Sequence, residues 1–161
     1  VTSQDGENTA VFVISVVSTE MQVWDFAKYT TEVKTTESGF TEEYDGLTIA
    51  IANNGADTDH DKITTDGVYW RGGAPSGNSA RYIAFTPDKD GMLYATGKLN
   101  SSGGRWGISN SLDVSSFVAD SSSTTSTSTA TVQMQCTAGT TYYIYSKTRS
   151  ATVNSVSYMP Q

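Results

Sequence analysis

The chain has one cysteine, one histidine and three prolines in 161 residues. A single thiol, Cys136, rules out an internal disulfide framework, so the core has to hold itself together by packing. Between Gln135 and Thr137 in a strand-like run, Cys136 reads as a small buried hydrophobe. A lone histidine, His60, set among acids, leaves no Ser/His/Asp or Cys/His arrangement. Carboxylates are plentiful, but no spacing singles out a catalytic pair. Walker, dinucleotide and zinc patterns are absent. The longest apolar run, residues 10–17 (AVFVISVV), is of strand length and too short to span a bilayer. Little here supports catalysis, and no membrane partner is expected.

Charge is also unevenly spread. The net charge is −7. Residues 1–61 hold twelve acids against two bases, while residues 62–161 hold eight bases against five acids. The chain lacks the basic excess of a nucleic-acid binder. A local basic face suited to a polyanion still fits this distribution, as does a surface on which acids and bases simply mix.

The rest is rich in Thr, Ser, Tyr and Gly, a composition of strands and turns. The stretch 79–98 reads as a β-hairpin, with SARYIAF and MLYATGK joined by Pro87-Asp88-Lys89-Asp90-Gly91. Other strands are expected in MQVWDF (21–26), at 47–51, around Ile63, and over 68–71, 105–109 and 112–118. Three more, at 130–135, 141–147 and 152–159, close the fold. The Ser/Thr tract 120–129 reads as an exposed loop. About ten short strands with no convincing helix predict an all-β domain, an antiparallel β-sandwich of jelly-roll type. The sandwich is expected over 21–161. Residues 1–20 are read as linker or an additional N-terminal strand.

The candidate functional residues are cations and aromatics. Trp70-Arg71-Gly72-Gly73 and Gly103-Gly104-Arg105-Trp106 set indoles and guanidiniums beside glycines. Such neighbours can let a ring stand clear of the backbone and stack on the apolar face of a sugar. Equally, each indole can cap an end of the core. Trp24, with alternating partners, is assigned to the core. Alternation places Tyr143, Tyr145 and Lys147 on one strand face, and Met92, Tyr94, Thr96 and Lys98 on another. Were those faces adjacent in one sheet, they would make an aromatic floor bearing ammonium groups. The acids Asp57, Asp59 and Asp61 alternate like the start of a Ca²⁺ loop, although Lys62 and Val68 exclude an EF-hand. They read either as a structural Ca²⁺ site or as a solvated acidic turn. No other cofactor is expected.

The order WDF, DGLTIAI, GVYWRGG, SARYIAF and AGTTYYIYSK resembles the β-sandwich modules appended to pectate lyases and other plant-cell-wall enzymes, cellulosomal ones included. Within that class it is most similar to the pectin-binding carbohydrate-binding module, family seventy-seven. The resemblance spans about 21–159. It implies a secreted, extracellular, non-catalytic module within a multidomain protein, holding an attached enzyme on plant cell-wall polysaccharide. The single cysteine favours a bacterial origin, and a cleanly alternating sandwich that needs no partner to cover it favours a monomer. Basic side chains would grip galacturonate carboxylates of low-ester homogalacturonan. The expected ligand-binding residues are Arg71, Lys98, Arg105, Trp106, Tyr143, Lys147 and Arg149, with Arg81 behind them. A neutral β-glucan or xylan module using exposed Trp106, Trp70 and tyrosines as stacking platforms, and a small jelly-roll polysaccharide lyase, are the alternatives.

Overall fold

The structure, a computed structural model, describes residues 20–29, 40–51, 61–71, 80–113 and 122–161. The elements are β1 (Gln22–Asp25), α1 (Phe26–Tyr29), β2 (Phe40–Tyr44), β3 (Leu47–Ile51), β4 (Lys62–Thr64), β5 (Gly67–Trp70) and β6 (Tyr82–Phe85). They continue with β7 (Gly91–Leu99), β8 (Arg105–Ser109), β9 (Ser123–Thr124), β10 (Ala130–Cys136), β11 (Tyr142–Thr148) and β12 (Ala151–Pro160). Two six-stranded sheets form the β-sandwich of jelly-roll type. The first runs β10-β7-β12-β5-β4, with β1 added beside β12, and the second runs β2-β3-β6-β11-β8-β9. Every pairing is antiparallel.

Strand periodicity builds the core. In β7 the odd positions from Gly91 to Leu99 are buried, while Met92, Tyr94, Thr96 and Lys98 face outward. Inward residues of both sheets meet in one cluster that includes all three tryptophans. Trp24 lies edge-on to Phe85 at 5.1 Å, and Phe85 leans on Tyr158 at 5.0 Å. The residues expected to form a first strand, 10–17, lie outside the described residues. So do most of the polar loop at 53–61, the Gly/Pro loop at 72–78, and residues 114–118 of the strand expected at 112–118; residues 110–113 are not strand. The expected Ser/Thr loop holds a two-residue strand, β9. One short helix, α1, follows β1, with the Asp25 carboxylate accepting the Ala27 N–H at 3.0 Å. It is a single turn, too short to leave a periodic signal.

The main correction concerns the 79–98 stretch. Its two arms do not pair: β6 sits between β3 and β11 in the second sheet, and β7 between β10 and β12 in the first. Residues 86–90 therefore cross from one sheet to the other instead of closing a hairpin. Hydrogen bonds hold the crossing in place. The Pro87 carbonyl accepts the Gly139 N–H at 2.8 Å, and the Asp90 carbonyl accepts the Gln161 N–H at 2.9 Å. Asp90 Oδ1 accepts the Ala138 N–H at 2.9 Å, and the Tyr158 hydroxyl donates to the Lys89 carbonyl. These turn residues are tied to the ends of other strands, so Ile83 and Phe85 cover the inner face from one side and Leu93 and Ala95 from the other. A local hairpin does form between β2 and β3, where Asp45 and Gly46 both take positive φ (46° and 88°).

Cys136 is 1% exposed at the end of β10, as expected of a small core residue. Burial pushes its thiol from 9.0 up to about 12. Burial, reinforced by nearby acids, also raises the phenols of Tyr44 and Tyr158. All three groups hold their protons more tightly folded than unfolded. The stability they contribute is complete below about pH 9, where the unfolded thiol starts to ionise, and is lost as pH climbs toward 12. Urea midpoints should therefore fall between neutral pH and pH ~10, and the Cys136→Ala variant should fall less over the same interval. An equal or steeper fall in that variant would remove Cys136 from the account.

Candidate functional site

The two ends of the sandwich differ in charge. At one end lie the 86–90 crossing and the β2–β3 turn, with Asp45, Asp88 and Asp90 against Lys89. At the other end β7 runs into β8 and β11 into β12. Among the described residues this second end carries Arg71, Arg81, Lys98, Arg105, Lys147 and Arg149, and its acid is Asp61. Asp61 is completely buried: it ion-pairs with Arg81 and accepts the Arg71 N–H at 2.8 Å. The remaining cations therefore dominate this end.

Three of them are brought to one corner by the backbone. Arg105 opens β8 opposite Thr148, and its Nη1 donates to Ser123 Oγ at 2.9 Å. Lys147 is the residue left without a β8 partner where the β11–β8 register shifts between Ser146 and Thr148. Arg149 stands exposed with φ 69° at the turn into β12. That turn is fixed by the buried Ser146 hydroxyl, within reach of the Thr148 and Arg149 carbonyls at 3.0 and 2.7 Å. The Cβ direction of Gly104 ends 2.7 Å from Arg149 Cβ, so the loop before Arg105 lies directly against Arg149. Lys98 is on the outer face of the first sheet at the same end, opposite Thr152. The Asn100 N–H donates to the Ser150 carbonyl at 2.9 Å, stitching the two turns together. Lys98, Lys147 and Arg149 make no ion pair among the described residues.

The aromatic expectations are only partly met. Tyr143 is half-buried on the outer face of the second sheet, where Tyr82 meets it edge-to-face at 5.5 Å. Tyr82 was not singled out from the sequence, although its alternation with the buried Ile83 and Phe85 marks it as outward-facing. Tyr145 points to the same face but is covered, its hydroxyl donating to the Ser111 and Asp113 carbonyls at 3.2 and 3.4 Å. The Tyr94/Lys98 and Tyr143/Lys147 faces do not adjoin, because β7 and β11 belong to opposite sheets.

Trp106 requires a correction. It is 0% exposed and packs in the core with Ile108 and Ile144. The glycine beside it serves another purpose: a Cβ on Gly107 would come within 2.2 Å of the Ser122 carbonyl, so glycine there admits the chain entering β9. The indole points the other way. Trp70 is likewise fully buried, its Nε1–H directed at the Ala50 carbonyl at 3.4 Å. No indole of this chain is a surface platform for a sugar, so the neutral-glycan alternative loses its tryptophans and keeps only its tyrosines. Of the expected metal ligands, Asp57 and Asp59 lie outside the described residues, and Asp61 is occupied by Arg81 and Arg71. Among the described residues no group of three His, Cys, Asp or Glu side chains could hold a metal ion.

No protein-family model matches the chain, and no curated protein matches it. Among solved structures it is similar to the K1 cleaved adhesin domain of Lys-gingipain from Porphyromonas gingivalis W83, with a TM-score of 0.42 and 12% identity over 88% of this chain and 99% of that one. It is also similar to the C-terminal CBM6 of LamC, a marine laminarinase from Zobellia galactanivorans (TM-score 0.35, 11% identity, 87% of this chain, 99% of that chain). A CBM4 structure matches with a TM-score of 0.26 and 13% identity, over 89% of this chain and 88% of that one.

Proposed function

We propose that this chain is a non-catalytic carbohydrate-binding module for acidic plant cell-wall polysaccharide, low-ester homogalacturonan foremost, which holds an attached enzyme on its substrate outside the cell. The observation that carries this reading is the corner formed by Arg105, Lys147 and Arg149, with Lys98 across the turn, at the end of the sandwich whose described acid is already neutralised. Carboxylates regularly spaced along a sugar chain would take charge-assisted hydrogen bonds from these side chains. The Tyr82–Tyr143 pair on the adjoining sheet face offers ring edges and faces to the intervening sugars. Each contact is exposed and modest, so binding should be micromolar or weaker and should weaken with salt.

The test is affinity electrophoresis in gels containing low-ester or fully methyl-esterified homogalacturonan. Retardation is expected with the low-ester polymer alone and should be relieved by salt. Lys147→Gln and Arg149→Asn should each weaken binding roughly tenfold, about the worth of one charge-assisted hydrogen bond. Asparagine is chosen at 149 because it tolerates the left-handed backbone there. Equal retardation by both polymers, or no change in the two variants, would refute the basic-corner reading.

A further inference from the structure

Strand edges expose unpaired N–H and C=O groups, and soluble domains usually blunt them with charge, proline, bulges or brevity. Most described edges here follow that rule. β4 has three residues and carries Lys62, and β9 has two. β2 carries Glu42 and Glu43, and β1 is four residues long and ends on Asp25. β10 does not follow it. It forms one end of the first sheet, runs seven residues (ATVQMQC), and contains no charge, proline or glycine. Its register against β7 is unbroken from Ala130↔Gly97 to Cys136↔Gly91. Thr131, Gln133 and Gln135 stand exposed on its outer face.

We infer that this edge pairs with the same edge of a second copy, β10 against β10 in antiparallel register, joining two first sheets into one continuous sheet across a two-fold axis. This would replace the monomer expected from the sequence. The edge is self-complementary. With the axis through Gln133, that residue faces its own counterpart and Val132 falls opposite Met134 of the second copy. Met134 is only partly buried although it packs against the core, and such pairing would cover it. An uncharged strand brings no like charges together. Antiparallel pairing also sets the Lys98 end of one copy beside the Asp88 and Asp90 end of the other, so the charge separation along the sandwich favours this orientation over the parallel one. The basic corner is built from β8 and the β11–β12 turn and uses no residue of β10, so the dimer would carry two such corners, one at each of its ends.

Sedimentation velocity over a dilution series of the purified chain should show a species of twice the chain mass. Gln133→Lys places two ammonium groups on the axis and should return the protein to a monomer, with its circular dichroism kept and its thermal midpoint lowered no further than that of the wild type diluted to monomer, because residue 133 is exposed. Gln133→Cys should cross-link to a covalent dimer with a short bis-thiol-reactive reagent, since opposed Cβ atoms across such a pair lie about 4.5–5.5 Å apart, slightly beyond the roughly 3.5–4.5 Å of a relaxed disulfide. Thr41→Cys, exposed on the acidic edge β2, should not. A wild-type monomer at every concentration, a dimer indifferent to Gln133→Lys, or no cross-link at 133 would each overturn the inference.

Discussion

Replacing Asp61 by alanine is expected to cost roughly 3 kcal/mol or more of folding stability, because it takes away one half of a buried ion pair. The Asp61 side chain is 0% exposed and the Arg81 side chain 15%. The carboxylate engages three segments at once. Asp61 precedes β4, the Arg71 N–H that it accepts follows β5, and its partner Arg81 precedes β6. The first two belong to the outer hairpin of one sheet and the third to the opposite sheet, so this contact clamps the sandwich at its basic end. Asp61→Asn keeps an acceptor for the Arg71 N–H but loses the charge, and should cost about half as much. Arg81→Met should be about as damaging as the alanine variant, since it removes the Arg81 counter-charge from a buried carboxylate. The double variant Asp61→Ala/Arg81→Met should recover part of the loss, because an apolar pair requires no desolvation of charge. Urea midpoints of the four proteins decide the matter; an Asp61→Ala loss below ~1 kcal/mol would show that the clamp is ornamental.

This clamp was not visible in the sequence, and the reason generalises to much of the site. Period-two alternation reports which way a side chain points along its own strand, and it served well wherever that was the question. β8 falls on the expected 105–109, and β10, β11 and β12 come within a residue or two of their expected bounds. Alternation says nothing about which sheet a strand joins. A Pro-Asp-Lys-Asp-Gly segment reads the same whether it closes a hairpin or crosses between sheets, so β6 and β7 were paired when they are in fact opposed. The imagined floor shared by Tyr94, Lys98, Tyr143 and Lys147 failed with that pairing. Arg105, Lys147 and Arg149 come to one corner through a neighbouring ladder and a turn, a juxtaposition that period-two alternation does not report. Glycine was the other ambiguous sign: beside Trp106 it suggested a freed indole, yet at 107 it makes room for backbone.

Trp106 yields the second large effect. Trp106→Ala should cost about 3–5 kcal/mol through lost burial and the cavity left behind. If the side chain were a surface platform, the same change would spare stability and abolish binding. The more discriminating comparison is with phenylalanine. Trp106 Nε1 is buried and meets no acceptor among the described residues, whereas the Trp24 indole donates to the Asp45 carbonyl at 2.8 Å. Both rings are essentially fully buried, so truncation to phenylalanine removes a similar volume at each. At position 24 it also strands a carbonyl acceptor; at 106 it eliminates a donor whose desolvation cost about 1–3 kcal/mol with nothing in return. Trp106→Phe should therefore lose at least ~1 kcal/mol less stability than Trp24→Phe in matched urea titrations. If the two variants lose equally, or 106 loses more, the Trp106 N–H is satisfied in solution and its indole is held by more than packing.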